Sequence, residues 1–329
     1  MTLKVGTFNL NNLFDRFNYD VEIAALPKAE RTVQETISIV PSEPGKPPGR
    51  ARSFQGKLIQ RKPLDERKRL AERIRDIDLD VLCVQEVEDI TALREFNDGN
   101  IGEGGLGRHY PFVALVEGND PRFIDVAVLS KRPLGGITSW AHARHPDDPD
   151  EPVFSRDLLE IDILAADFSR VVLKIFNTHL KSQFVGSGDP LEEKAAADLR
   201  RTRQADMAGR IISKRTSPRT AFLVLGDLND APDAPTLAPL TQSNGFTDGL
   251  ADVRESRPFD DDPPPPGARW THRFRDSAAK TTHFHLFDQI WISPALKGKL
   301  VRADIDRRTK KTKDGSDHDP AWITLDGIR

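Results

Sequence analysis

Short apolar runs punctuate the chain, and their β-branched and aromatic content favours strands over helices. LKVGTF (3–8), DVLCV (80–84), DVAVLS (125–130), LEIDILAA (159–166), VVLKIFN (171–177), AFLVLG (221–226), FDQIWIS (287–293) and AWITL (321–325) are bounded by polar or turn-forming residues and read as strands. Two segments carry the helical period instead. In 65–77, Leu70, Ala71, Ile74 and Ile77 fall on one face. In 189–215, Asp189 suits an N-cap, Pro190 suits the first turn, and Glu192 completes a capping-box-like start. Strands and helices are mixed without strict alternation, which predicts a mixed rather than a purely parallel sheet.

Three segments read as loops: 40–56, rich in Pro, Gly and Arg; 98–108, with five glycines and expected to be mobile; and 258–267, an acidic polyproline spacer. None has the length of an interdomain linker. The expectation is therefore one domain over 1–329, with surface insertions near 15–64, 98–108 and 256–282. Hydrophobic residues make up 37% and charged residues 30%, the balance of a soluble globular protein. No apolar run approaches the ~18 residues of a membrane-spanning helix. The first ten residues alternate like a strand and do not read as a secretory signal. A single cysteine, Cys83, excludes an intrachain disulfide and fits a reducing compartment, so a cytoplasmic monomer is expected. Cys83 itself reads as buried core. The formal net charge of -3 gives no global basic field, so a polyanionic substrate would need local positive charge. The run RRTKKTKDG (307–315) could form such a lip; by itself it reads as a solvated loop.

The chemistry lies in where the polar residues fall. Strand 3–8 runs into Asn9, strand 80–84 into Glu86, strand 171–177 into His179 and Lys181, and strand 221–226 into Asp227 and Asn229. Asp288 interrupts an aromatic, aliphatic strand, and Asp317 with His318 precedes the last one. Strand ends are rigid places from which to aim side chains into a shared pocket. Taken singly, each has a plain structural reading: GDLND is a turn, and a histidine at a strand end is a hydrogen-bonded structural residue.

Taken in order, the set resembles the endonuclease/exonuclease/phosphatase superfamily of DNase I-like, metal-dependent phosphoesterases. The matching blocks are TFNLNNLFD (7–15), VQEVED (84–89), DVAVLSKRPL (125–134), NTHLKS (177–182), GDLND (226–230), FDQIWIS (287–293) and SDHDP (316–320). NLNNLFD together with NTHLKS looks most like the bacterial nuclease-like members. The resemblance implies an α/β four-layer sandwich: two mixed β-sheets packed face to face, helices outside, and the site at one rim.

It also implies roles. Glu86, Asn9 and Asp317 match metal ligands, with Mg²⁺ the expected ion and Mn²⁺ or Ca²⁺ the alternatives; the hard oxygen donors suit such cations. No Cys/His cluster has the spacing of a structural zinc site. Asp227 matches the water-activating aspartate, and Asn229 would orient that water. Asp288 and His318 match the family's Asp–His pair, in which the carboxylate favours a protonated ring. His179 corresponds to a second histidine that assists the leaving group in nuclease-like members. Arg156, in FSRDLLEID (154–162), Lys181 and Asn11 are expected to contact phosphate. Position 11 is Asn where some DNA-repair members carry Asp, which points away from the abasic-site repair branch. Thr271 and His272 in RWTHRF take no assigned role. The function this implies is Mg²⁺-dependent hydrolysis of phosphodiester bonds in DNA. The alternatives are a phosphatase or phospholipase-type phosphodiesterase on inositol phosphates or sphingolipids, a ribonuclease, or a silent binding module. The completeness of the polar set argues against the last, and the charged or Pro-rich loops argue against a lipid surface.

Overall fold

The computed structural model describes residues 2–15, 37–39, 49–51, 62–120, 122–183, 189–242, 245–255, 269–276, 280–307 and 314–328. The 258–267 spacer, and most of the 15–64 insertion and of the 307–315 run, lie outside these residues.

Two sheets form the centre. The first has seven strands in the order Arg254–Glu255, Leu300–Ile305, Ala321–Asp326, Thr2–Leu13, Val81–Val87, Asp125–Ser130, Phe112–Leu115. It is mixed: Thr2–Leu13 runs parallel to Val81–Val87 and antiparallel to Ala321–Asp326. The second has six, in the order Thr247–Asp248, Asp288–Ile292, Phe222–Asp227, Val171–His179, Leu158–Leu164, Leu134–Ser139. Here Val171–His179 is parallel to Phe222–Asp227 and antiparallel to Leu158–Leu164.

The period of two along each strand builds the layers. Leu3, Val5, Val81, Cys83, Val126 and Val128 of the first sheet meet Leu173, Ile175, Leu223, Leu225, Ile290 and Ile292 of the second in one buried cluster. The intervening residues face outward. Phe8, Leu10, Leu82, Val84 and Leu129 pack under Leu70, Ala71 and Ile74 of helix α1 (Leu64–Ile77) and Leu93 and Phe96 of helix α2 (Ile90–Asp98). On the other side, Leu158, Phe176, Phe222 and Val224 pack under Ala205, Ala208, Ile211 and Ile212 of helix α3 (Pro190–Arg215). Helix, sheet, sheet and helix make the four-layer α/β sandwich. Both helices expected from the sequence are present. α1 carries Asp65 and Glu66 in its first turn, and α3 is capped by the Asp189 side chain, which accepts from the amides of Leu191 and Glu192.

The glycine-rich segment 98–108, expected to be mobile, is instead tied down. The amides of Gly105, Leu106 and Arg108 donate to the carbonyls of Asn100, Phe96 and Asn97, and Leu106 is buried against the α1–α2 layer. The glycines serve turns: Gly104 and Gly107 have φ of 79° and 70°. The 256–282 insertion contains the first strand of a hairpin, His272–Asp276, and runs into the second, Thr281–His285.

Between the sheets the core changes character toward one edge. Beyond Val5, Cys83 and Ile175, the inward positions become Thr7, Gln85 and Asn177. Thr7 Oγ1 donates to Gln85 Oε1 (3.1 Å), and Gln85 Nε2 donates to Asn177 Oδ1 (2.8 Å). The Asn177 amide in turn donates to the Ala127 carbonyl at 2.9 Å. This closed polar layer stiffens the floor on which the next inward residues stand.

Candidate active site

One step further along Thr2–Leu13 and Val171–His179 stand Asn9 and His179, and Asp227 and Asp288 end the neighbouring strands Phe222–Asp227 and Asp288–Ile292. The register sets His179 opposite Asp227, and Asp227 opposite Asp288, on three neighbouring strands. Asp227 is the hub. Asn9 Nδ2 donates to its Oδ2 at 2.9 Å, and His179 Nε2 and His318 Nε2 lie 3.4 and 3.8 Å from the same oxygen. The Asn229 amide donates to Asp227 Oδ1 at 3.0 Å, while Asn229 Nδ2 holds the Leu180 carbonyl at 3.1 Å.

The backbone at this turn is specialised. Gly226 has φ of 134°, and a Cβ there would lie 1.9 Å from the Thr178 carbonyl oxygen. Asn229 sits in the left-handed region at 55°, which asparagine tolerates. Glu86 occupies the same region at 61°, a conformation that costs a residue of its type energy and recurs at functional sites. The Glu86 carboxylate is held by the Asn12 amide, which donates to Oε2 at 3.0 Å.

The two histidines are driven apart in charge. His318 is buried, which alone favours a neutral ring. The carboxylates of Asp288, 2.7 Å from Nδ1, and Asp227 outweigh that and raise its pKa well above the usual value. His179 is buried too, and the cations Arg156 and His318 push the same way, so its pKa falls well below the usual value. Its Nδ1 finds no hydrogen-bond partner among the described residues. Burial, with Asp288 and Glu86 nearby, raises the Asp227 pKa against the opposing pull of His318 and Asn9.

Asp317 stands at the rim with its side chain half exposed, 3.6 Å from His272 Nε2. Against the cost of partial burial, His272 and His318 hold its carboxyl below the usual range. His272, Asp317 and His318 each offer a donor atom, all within 4.8 Å of one another. Lys62 donates to the Asn11 carbonyl at 2.6 Å; burial lowers its pKa against the pull of Glu66, Glu86 and Asp317. Glu86, Asp317 and the Asn9 side-chain oxygen are donors of the chemical kind that hard divalent cations take.

Arg156 is buried, ion-paired through Nε with Asp120 at 2.9 Å, and donates from Nη1 to the Leu180 carbonyl at 3.0 Å. It meets the site through its field. Lys181 is half-buried; burial, Arg156 and Arg122 lower its pKa to about 8. Asn11 contributes its backbone, donating from its amide to Asn9 Oδ1 at 2.9 Å, while its side-chain oxygen accepts from Asn12.

Sequence reasoning missed Lys62, Asp120, Arg122 and Ser316, and noted His272 without assigning it a role. Ser316 Oγ donates to the Asn9 carbonyl at 2.7 Å and accepts the His318 amide at 3.0 Å, locking the SDHDP turn to the first strand. Its place inside that motif was a signal. His272 needed the pairing that sets it beside His318, ring centroids 4.7 Å apart.

A four-layer α/β sandwich of two mixed sheets is the DNase I-like fold. Residues 6–318 match the endonuclease/exonuclease/phosphatase family, and the chain belongs to that family. Its members are phosphoester hydrolases that generally use divalent metals. No curated protein matches the sequence. Solved structures share the fold. An endonuclease/exonuclease/phosphatase from Bacteroides vulgatus has a TM-score of 0.56 at 14% identity, covering 99% of both chains. An AP endonuclease from Archaeoglobus fulgidus has 0.53 at 16%, covering 98% of this chain and 99% of that one. A mannosyl-6-phosphatase from Bacteroides thetaiotaomicron has 0.52 at 12%, covering 98% of each. At these identities the likeness carries the fold alone. Among the described residues no helix is long and apolar enough to cross a membrane.

Proposed function

We propose that the chain hydrolyses phosphodiester bonds in DNA with a divalent metal, Mg²⁺ in the first instance, held by Glu86, Asn9 and Asp317. The observation that carries this reading is the convergence on Asp227 of two histidines and two asparagines at the mouth between the sheets. A bound cation there supplies charge neutralisation at the phosphoryl oxygens and lowers the pKa of water.

The chain's own residues do the rest. Asp227, its pKa raised, accepts the proton of the attacking water, which Asn229 orients. His318, kept cationic by Asp288, donates to a nonbridging phosphate oxygen. His179, neutral, assists the leaving oxygen. Lys181 and the Asn11 turn position the phosphate, and Arg156 attracts it from behind through its field. The AP endonuclease among the structural neighbours supports nucleic acid as substrate. The mannosyl-6-phosphatase among them keeps a phosphomonoesterase as the second reading.

A panel of plasmid DNA, single-stranded DNA, RNA, inositol phosphates and sphingomyelin, with Mg²⁺, tests the proposal. Cleavage of DNA above the other substrates is expected, and turnover of only a monoester or a lipid would overturn it. Asp227→Asn and His318→Ala should each lower turnover on the preferred substrate by about 10²–10⁴; near-normal rates in a variant would remove that residue from the mechanism.

A further inference from the structure

The hairpin of strands His272–Asp276 and Thr281–His285 bears a row of rings on one face. Cross-strand pairing sets His272 opposite His285 and Phe274 opposite His283, and the period of two puts all four, with Phe287, on the same side. The rings form a continuous series starting at the proposed phosphate-binding histidine. His318 contacts His272 (centroids 4.7 Å apart), and His272 stacks on Phe287 (5.1 Å). Phe287 stacks on His285 (4.6 Å), His285 on His283 (6.2 Å) and His283 on Phe274 (6.5 Å). The four stacked pairs lie within 8–30° of coplanar. Exposure grows outward: Phe287 is buried, and Phe274, at the far end, is 55% exposed.

The reverse face fixes this row. Phe284 packs on Trp270 (5.1 Å), the Thr271 amide donates to the His285 carbonyl, and Thr271 Oγ1 accepts the Asp288 amide at 3.0 Å. The ladder is therefore built on the same backbone that carries the site. Burial, with His272 and His283 nearby, lowers the His285 pKa. Segment 272–285 holds Arg273, Arg275 and Lys280 against one acid, Asp276, which makes it locally basic in an acidic chain.

We propose that this face is a stacking platform for the unpaired bases of single-stranded nucleic acid, whose phosphate backbone leads to the scissile bond at His318. Flat rings, repeated along a ribbon that also carries Arg273, Arg275 and Lys280, are what sequence-tolerant base stacking uses. A duplex keeps its bases stacked on one another and has none to offer. A sugar phosphate or lipid headgroup has no planar face of that size. The inference rests on the nucleic-acid reading above and deepens it to strand state.

The test measures binding in EDTA at fixed salt, by fluorescence anisotropy of the full chain. The probes are a labelled ten-nucleotide oligothymidylate, its uridylate counterpart, a duplex, and an oligomer of equal length whose sugars carry no bases. The wild-type protein should bind both base-bearing single strands alike and more tightly than the baseless oligomer and the duplex. Phe274→Ala should weaken single-strand binding about 5- to 150-fold, leave the baseless oligomer unaffected, and be rescued by Phe274→Trp. Hydrolysis of bis(p-nitrophenyl) phosphate should stay within about twofold of wild type in these variants, which also reports that they are folded. Equal affinity for based and baseless strands, or no loss in Phe274→Ala, overturns the platform while leaving the phosphodiesterase reading intact. Absence of phosphodiester hydrolysis in the wild type overturns both.

Discussion

Replacing Asp120 with alanine takes a carboxylate from two arginines at once. Arg156 and Asp120 are both buried, with Nε to Oδ2 at 2.9 Å. Arg122 grips the same carboxylate through Nε and Nη2, both at 3.1 Å, but its side chain is 44% exposed. Breaking a buried pair by removing one partner strands the other charge and costs about 3–5 kcal/mol. The exposed Arg122 contact adds at most about 1 kcal/mol. Asp120→Ala should therefore lose about 3–5 kcal/mol at pH 7.5 in urea unfolding, as a lower midpoint at unchanged slope. Adding Arg156→Met should recover most of that loss, because no uncompensated charge remains. The pH dependence has a definite sign. Burial raises the Asp120 pKa, but Arg156 and Arg122 outweigh it and hold the carboxyl below its usual 3.8. Its contribution is thus present above that value and lost as pH falls through the lower, folded-state pKa, so the gap between wild type and Asp120→Ala closes on acidification. A loss below about 1 kcal/mol, or a double variant no better than the single one, would refute the reasoning.

Asp125 shows the opposite sign. It is buried with the Gly118 amide donating to Oδ1 at 2.8 Å, and burial raises its pKa to about 7. The stability it leaves intact below pH 3.8 is lost as pH rises to about 7, by up to about 4 kcal/mol. Asp125→Asn should flatten that stretch of the thermal-shift profile and melt higher than wild type at pH 8; an unchanged profile sinks the assignment. Gln85→Ala should cost about 1–3 kcal/mol by leaving the buried Asn177 and Thr7 groups without their partner, read by urea unfolding. Gly226→Ala forces a Cβ onto the Thr178 carbonyl, so turnover should fall with stability; a fully active, stable variant contradicts the geometry of the turn.

Asp227 was legible because it follows Leu223 and Leu225 at the inward spacing, so the strand that buries them also aims it between the sheets. Asn9 after Val5, and His179 after Leu173 and Ile175, follow the same rule. The strands that escaped notice are those whose faces are not segregated. Leu134–Ser139 has no buried residue and contains two glycines, and Phe112–Leu115 is half-buried on both faces, so neither alternates. Asp120 was invisible because its partner Arg156 lies 36 residues on, and only the fold brings them together. The left-handed backbone of Glu86 has no residue-type signature, unlike that of Asn229. His272 takes no role from the sequence until the hairpin register and its pairing with His318 are known.

The most direct measurement is hydrolysis of bis(p-nitrophenyl) phosphate by the EDTA-treated wild-type protein, by the same protein after Mg²⁺ is restored, and by Asp227→Asn with Mg²⁺. The account predicts no turnover in EDTA, recovery with Mg²⁺, and a loss of at least about 10² in Asp227→Asn. Turnover that persists in EDTA, or that survives the loss of the Asp227 carboxylate, would contradict it.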